Sequence, residues 1–329
     1  MKVIKILIFF ILFINFLFAD SQLNYLYKKA SEFEKNKEYK NALEVYKEIA
    51  LKEKNINKTY FDEEKVIAKE ITTKTLDKIE DKETEQTIQQ ILAGAFNLYP
   101  YEENYIIPFS YDMKKRVDRK KIEAKFQLSV KKPILTNFFN MNESINFGYT
   151  QTSWWQLYKD SAPFRETNYK PEIFMTIPYG KRDETALKGF KFGFLHESNG
   201  QSEGDSRSWN RIYLTTYFQA GNLFISPRVW YRIPESKNDD DNPDIDKYLG
   251  YGDLTFAYAY KSHTFKLLLR NNLRFNDDNK GFAQLDWTFP FFGSNNTFGY
   301  IQASTGYGDS LIDYDKEINR IGFGISLSR

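Results

Sequence analysis

The 329-residue sequence contains no cysteine and only two histidines. Without cysteine there is no disulfide framework, no thiolate metal site and no lipidated N-terminal cysteine. A second absence is charge excess. The first 19 residues carry Lys2 and Lys5 and no acidic group, so without them 46 Lys and Arg become 44, equal to the 44 Asp and Glu. A neutral chain gives no electrostatic reason to expect nucleic-acid binding. A third absence is length of hydrophobic run. Beyond residue 20 no stretch of 18 consecutive apolar residues occurs, which excludes membrane-spanning helices from that part of the chain.

The segment MKVIKILIFFILFINFLFA (1–19) places two lysines ahead of an apolar run that ends at Ala19. This is the layout of a secretory signal peptide. The run from Ile6 to Phe18 is short of the ~20 residues a spanning helix requires, so cleavage after Ala19 is expected and the rest of the chain is expected to be exported. Residues 20–96 read as a helical periplasmic extension. In LNYLYKKASEFEKNKEYKNALEVYKEIA the residues Leu26, Ala30, Phe33, Ala42, Tyr46 and Ile49 recur at spacings resembling one tetratricopeptide helix hairpin. No clear second repeat follows. A plain amphipathic extension is therefore set slightly ahead of a docking module for a periplasmic partner. Residues 51–90, charged and rich in threonine, read as one more helix and a linker.

From about Tyr99 the composition turns to Phe, Tyr, Trp, Gly and Asn in alternating order. Segments of roughly ten residues with every second position apolar are the mark of a transmembrane β-barrel. Candidate strands fall at 104–112, 123–132, 144–157, 171–178, 188–198, 210–219, 222–233, 250–260, 263–275, 281–289, 297–307 and 319–327, an even number of twelve. Turns at 220–222 and 261–262 are short and the opposite loops at 199–209 and 234–249 longer, the asymmetry expected of periplasmic turns and extracellular loops. The expectation for 97–329 is thus an all-β transmembrane barrel of 12 antiparallel strands. A β-sandwich would also alternate, but would not account for the leader or for Tyr and Trp near strand ends. The last residue, Arg329, departs from the aromatic residue that often closes such barrels.

Alternation gives direction to an otherwise bland polar stretch, HESNGQSEGDSRSWNR (196–211). Phe190, Phe192 and Phe194 share one face of their strand, and His196 and Ser198 continue it. On the returning strand Ile212, Leu214 and Phe218 mark the lipid face, which takes in Asn210, while Arg211, Tyr213 and Thr215 point inward. Polar groups facing hydrocarbon are costly unless they act or are covered. A serine needs a base to take its proton, an imidazole suits that role near neutrality, and a third group accepting the other ring N–H fixes the tautomer. Ser198, His196 and Asn210 have the right chemistry for these roles. An isolated His-x-Ser is weak evidence, and the shared face strengthens it.

Other motifs carry less. HESNG opens like a zinc-protease HExxH, but position 200 is Gly. GDSL (308–311) spells an esterase signature with no histidine after it, and the acidic run DDDNPDID (239–246) reads as a solvated loop.

Five ordered motifs complete the picture: GYTQTSWWQLY (148–158), SAPFRETNYKP (161–171), HESNGQSEGDSRSWNRIY (196–213), DDNPDIDKYLGY (240–251) and GYGDSLIDY (306–314). Together, over about 97–327, the chain resembles the outer-membrane phospholipase A family. The resemblance implies a calcium-dependent homodimer that hydrolyses sn-1 and sn-2 acyl esters of glycerophospholipids and lysophospholipids. It implies Ser198 as nucleophile, His196 as general base and Asn210 as the group orienting His196. Calcium ligands implied in the same way are the Gln201 carbonyl, the Ser206 hydroxyl and the Ser161 carbonyl from the partner subunit. Gln201 stands where the family has Arg, and a backbone ligand survives that change. The loops holding Ser161, Gln201 and Ser206 all follow upward strands, so all are expected on the extracellular side. Gln151 shares parity with Ile145, Phe147 and Tyr149 on the lipid face, and the resemblance places it in the dimer interface. A one-residue slip in register would instead turn it into the lumen.

Overall fold

The computed structural model describes residues 21–49, 98–180, 184–236, 239–292 and 294–328. The leader (1–19) and the expected helix and linker at 51–90 lie outside the described residues. The chain divides into two compact units, 1–96 and 97–329.

In the first unit α1 (Ser21–Lys35) and α2 (39–49) form a hairpin. Lys37, at a φ of 62°, turns the chain between them. Leu26, Ala30, Val45 and Ile49 make its core with Phe33 against them, the one-sided stripe that a 3.6-residue period produces. Tyr46 differs from the sequence expectation. It is exposed and Val45 takes its place, because the steps Ala42, Val45, Ile49 hold the inner stripe and Tyr46 falls just outside it.

The second unit is a closed barrel. A two-residue strand β1 (Tyr99–Pro100) precedes β2 (Tyr105–Asp112), β3 (Ile122–Thr136), β4 (Ser144–Trp155), β5 (Phe164–Pro178), β6 (Leu187–Ser198), β7 (Ser208–Ala220), β8 (Leu223–Ile233), β9 (Gly252–Tyr260), β10 (His263–Asn271), β11 (Gly281–Phe291), β12 (Ser294–Gly306) and β13 (Ile318–Ser326). Each of β2 to β13 pairs antiparallel with its neighbours in sequence, and β13 returns to β2, with Phe323 opposite Phe109. The twelve-strand barrel expected from alternation is therefore the one observed, and closure pairs each of β2 to β13 on both sides among the described residues.

The largest departure is β5, which begins at Phe164 rather than at 171. A register shift at Trp154/Trp155 leaves Arg165 outside the pairing with β4, and the inward residues here, Glu166 and Asn168, are polar. A strand start built this way shows no apolar alternation.

Two-residue turns join β7 to β8 and β9 to β10 at one end, where Gly221 and Lys261 have positive φ. The other end carries long connections, 199–207, 234–251 and 307–317 among them. The outer face is apolar, with Phe192, Val229 and Tyr231 exposed, while the inner face buries Lys125, Glu172, Lys191, Glu197, Arg211 and Asp253. These charges neutralise one another in pairs such as Lys125–Asp309 at 3.0 Å. A cavity of about 470 Å³ remains in the lumen. Bulk inside is managed by small partners: Gly193 lies opposite Tyr213, and a Cβ on it would come 2.7 Å from the tyrosine oxygen.

After β1, which pairs with β3, residues 101–103 line the lumen ahead of β2. Tyr101 stacks on Phe174 at 5.0 Å, and Glu103 accepts from Lys266 at 2.7 and 2.8 Å.

Candidate active site

The site stands where β6, β7 and β8 reach the end with the long loops. Along β6 the odd positions 191, 193, 195 and 197 are buried and the even ones are open, with Phe192 and Phe194 exposed and His196 and Ser198 partly exposed. The row of phenylalanines thus runs outward into the histidine and serine, as alternation requires. On β7 Ile212 and Leu214 are exposed, while Arg211, Tyr213 and Thr215 are buried. Register sets His196 directly opposite Asn210. Their side chains meet, His196 Nδ1 lying 2.9 Å from Asn210 Oδ1. Behind the pair, Glu197 points into the lumen and is held by the guanidinium of Arg211 and the indole N–H of Trp209, which fixes the strand that carries the site.

Ser198 sits two residues beyond His196 on the same face, with Tyr169 and Ser208 as its register partners. Among the described residues no hydrogen bond joins its hydroxyl to the ring. Nucleophile and base commonly close this contact only around a substrate. Two residues after it, Gly200 takes a φ of 65°, and a Cβ there would lie 3.1 Å from the Tyr169 ring. The positive φ favours glycine, and the space beside the ring is tight for a side chain.

The loop 199–207 is built around one buried side chain. Asn199 Oδ1 accepts from the N–H of Gln201 (3.3 Å) and of Arg207 (2.9 Å), and its Nδ2 donates to the Asp205 carbonyl (2.8 Å). This frame presents the Gln201 carbonyl and the Ser206 hydroxyl. Ser206 Oγ donates to Asp241 Oδ2 at 2.6 Å. Ser161 lies in the loop between β4 and β5 with a φ of 64°, and among the described residues no hydrogen bond ties that loop to 199–207. Within one protomer, then, Gln201 and Ser206 share a loop and Ser161 stands on another.

A carbonyl at Gln201 and a hydroxyl at Ser206, the latter beside the Asp241 carboxylate, are oxygen groups of the kind that suit a hard cation. Among the described residues no cluster of three or more His, Asp or Glu forms a metal cage. A cation held here would rest on the Gln201 and Ser206 oxygens with water.

Gln151 is on the outer face of β4. It pairs with exposed Leu128 and shares parity with exposed Phe147, so the register slip that would turn it inward does not occur. Its Oε1 accepts from Tyr149 Oη at 2.9 Å and its Nε2 reaches Ser153 Oγ at 3.4 Å. One amide hydrogen is left facing outward.

Two residues to which the sequence reading gave no part also touch the site. Asp241 comes from the acidic run, where nothing in the sequence ties it to Ser206. Glu235 follows the end of β8 and its Oε1 accepts from Asn210 Nδ2 at 2.9 Å. Its parity with Ile233, which is paired with Asn210, is the only trace of it in the sequence. GDSL, by contrast, has a structural role: Asp309 accepts from Lys125 (3.0 Å) and Trp154 (3.2 Å), and Ser310 and Leu311 are buried.

The fold agrees with that of related proteins. A family model described as Phospholipase A1 matches residues 80–327. The chain belongs to the phospholipase A1 family. Among phospholipase A1 relatives, that of Proteus vulgaris is 37% identical over 246 residues, covering 71% of this chain and 82% of that protein. A putative phospholipase A1 of Neisseria meningitidis serogroup B is 41% identical over 218 residues, 63% of this chain, and this chain spans 55% of that relative's length. Two solved structures superpose with a TM-score of 0.65 at 34% identity over 71% of this chain and 93% of theirs. One is the outer membrane phospholipase A from Escherichia coli as an active-site mutant with an asparagine changed to alanine, the other the Salmonella typhi outer membrane phospholipase dimer with bound calcium. As a phospholipase A1 family member with a twelve-strand barrel, the chain is an enzyme of the phospholipase class in the bacterial outer membrane.

Proposed function

We propose that this phospholipase hydrolyses sn-1 and sn-2 acyl esters of glycerophospholipids, and those of lysophospholipids, through Ser198, His196 and Asn210, as a calcium-dependent homodimer. The observation that carries the proposal is the 2.9 Å contact between His196 and Asn210, on an outward row that continues exposed Phe192 and Phe194. An acyl chain lying along those rings brings its ester to the level of Ser198.

In the first step Ser198 Oγ attacks the acyl carbonyl carbon as His196 Nε2 takes the hydroxyl proton. Asn210 Oδ1 accepts the Nδ1–H, which holds the ring in place as it becomes cationic. Collapse of the tetrahedral intermediate breaks the ester C–O bond. His196 returns its proton to the departing lysolipid oxygen, leaving an acyl-serine. Water, deprotonated by the same ring, then releases the fatty acid and restores Ser198. A bound calcium ion supplies electrostatic stabilisation of the oxyanion. The residues that would hold it are Gln201 through its carbonyl, Ser206 through its hydroxyl, and the equivalent Ser161 carbonyl across the dimer. The relative solved as a dimer with bound calcium and the one whose active-site asparagine was replaced support this reading.

The test is phospholipid hydrolysis in detergent by the wild type and Ser198→Ala, each with calcium and with chelator. Activity confined to the wild type with calcium is expected. Hydrolysis by Ser198→Ala would remove the nucleophile assignment, and indifference to chelator would remove the calcium.

A further inference from the structure

The contact between His196 and Asn210 has a direction that neither residue sets by itself. An asparagine amide accepts at its oxygen and donates at its nitrogen, and a neutral imidazole carries its proton on either ring nitrogen. The pair can therefore join in two ways. With Nδ1–H donating to Oδ1, Nε2 keeps the lone pair that takes the serine proton. With the amide NH2 donating to a bare Nδ1, the proton sits on Nε2 and the ring is no base toward Ser198. Parity places the right side chains together and leaves this choice open.

Glu235 resolves it. The residues lie in a row across three strands: His196 of β6 opposite Asn210 of β7, and Asn210 opposite Ile233 of β8. Two residues past Ile233, Glu235 returns to the same face, and its Oε1 accepts from Asn210 Nδ2 at 2.9 Å. An ionised carboxylate has no proton to donate, so only the NH2 end of the amide can face it. The amide oxygen then faces His196, where it lies 2.9 Å from Nδ1, and an acceptor at that distance requires the proton on Nδ1.

We propose that Glu235 is the positioning residue of this site. By accepting from Asn210 it sets the order of donors and acceptors along Glu235, Asn210, His196 and Ser198, and so holds His196 in the tautomer that can act as base. This rests on the catalytic assignment above and adds to it. It also explains why an amide suits position 210: an aspartate there would set two acceptor-only groups face to face.

The test uses the full-length protein in detergent, comparing Glu235→Ala, Glu235→Gln, Asn210→Asp and the Asn210→Asp/Glu235→Gln double variant, with Ser198→Ala alongside. Glu235→Ala is expected to lower kcat by about tenfold, the scale on which outer partners of a functional imidazole act, with KM within about twofold. Glu235→Gln, which still offers a carbonyl oxygen, recovers most of that loss. Asn210→Asp is impaired, and adding Glu235→Gln restores activity because the new amide can donate to the aspartate. Wild-type kcat in Glu235→Ala, or no recovery in the double variant, overturns the proposal. A second measurement is independent of turnover: imidazole nitrogen NMR, simple with two histidines, should show His196 as the Nδ1–H tautomer in the wild type and a mixture in Glu235→Ala. Should Ser198→Ala retain activity, the catalytic reading falls while the tautomer still decides the role of Glu235. An unchanged tautomer in Glu235→Ala overturns it.

Discussion

At the scale of single residues, the site depends on the strict two-residue period of a strand. His196 and Ser198 face lipid because Phe192 and Phe194 do, and Glu197 between them faces the lumen. Substitutions here act on chemistry with little effect on the barrel. Ser198→Ala is expected to lower phospholipid hydrolysis by about 10⁴-fold or more, as loss of a serine nucleophile does elsewhere, with unchanged migration of the folded barrel on a gel. Ser206→Ala makes a different statement. It removes a proposed calcium oxygen and breaks the 2.6 Å bond to Asp241, so a calcium titration of activity should shift to higher concentration, by about tenfold for one lost ligand of roughly 1.4 kcal/mol, with the rate at saturation largely kept. A titration identical to wild type would exclude the Ser206 hydroxyl as a ligand.

At the scale of elements, the loop 307–317 is pinned to several strands of the barrel. Asp309 reaches Lys125, Trp154 and Arg320, and Asp313 reaches Arg119 and Arg165 at 2.5 and 2.9 Å. Burial by itself would raise both carboxyl groups. The ammonium of Lys125 and the guanidinium of Arg320 outweigh it for Asp309, bringing it down to about 2. The Arg119 hydrogen bond and the Arg165 charge do the same for Asp313, which lies well below the usual carboxylate range. Carboxyls depressed in the folded protein contribute stability that is present above the ordinary value of 3.8 and is lost as pH falls through the folded one. The loop should therefore resist an acid-tolerant protease from neutral pH to about 4 and become cleavable as pH approaches about 2. Cleavage already at pH 5 would contradict this account.

The elements also show where sequence reading meets its limit. Strands with an apolar outer face were legible because lipid enforces alternation, as in β6, expected at 188–198 and found at Leu187–Ser198. The start of β5 was not, because its register shift and its inward Glu166 and Asn168 follow the needs of the lumen. Tyr46 and Val45 of α2 compete for the edge of a helical stripe, and only packing against α1 chose between them.

At the scale of the molecule, the barrel unit holds its own closed hydrogen-bond ladder, and the lumen contacts of Tyr101 and Glu103 lie within it. Deleting residues 21–90 should leave calcium-dependent hydrolysis in detergent within about twofold, since every residue of the proposed site belongs to the second unit. Loss of activity would show that the helical unit takes part in catalysis. For the proposed homodimer, Gln151 lies on the outer face with exposed Leu128 and Phe147, and its Nε2 has one hydrogen more than its contact with Ser153 uses. Polar contacts between membrane proteins average about 0.6 kcal/mol. Since a two-fold interface uses each residue twice, Gln151→Ala should weaken the calcium-supported dimer by about threefold to tenfold in detergent sedimentation. An unchanged dimer constant would place the interface elsewhere.

Legible from the sequence were the barrel, its strand number, the facing of the residues read on β4, β6 and β7, and the placing of Ser198, His196 and Asn210 on one outward row. These follow from alternation, which is a local property of the chain, and from the turns that join adjacent strands. Tertiary structure alone decided which distant groups touch: Glu235 on Asn210, Asp241 on Ser206, Asp309 on Lys125. Each such contact has at least one end in a loop whose course has no period. A hydrogen bond is made or missed within a few tenths of an ångström, a precision reached only once the barrel has closed and its loops have packed on one another.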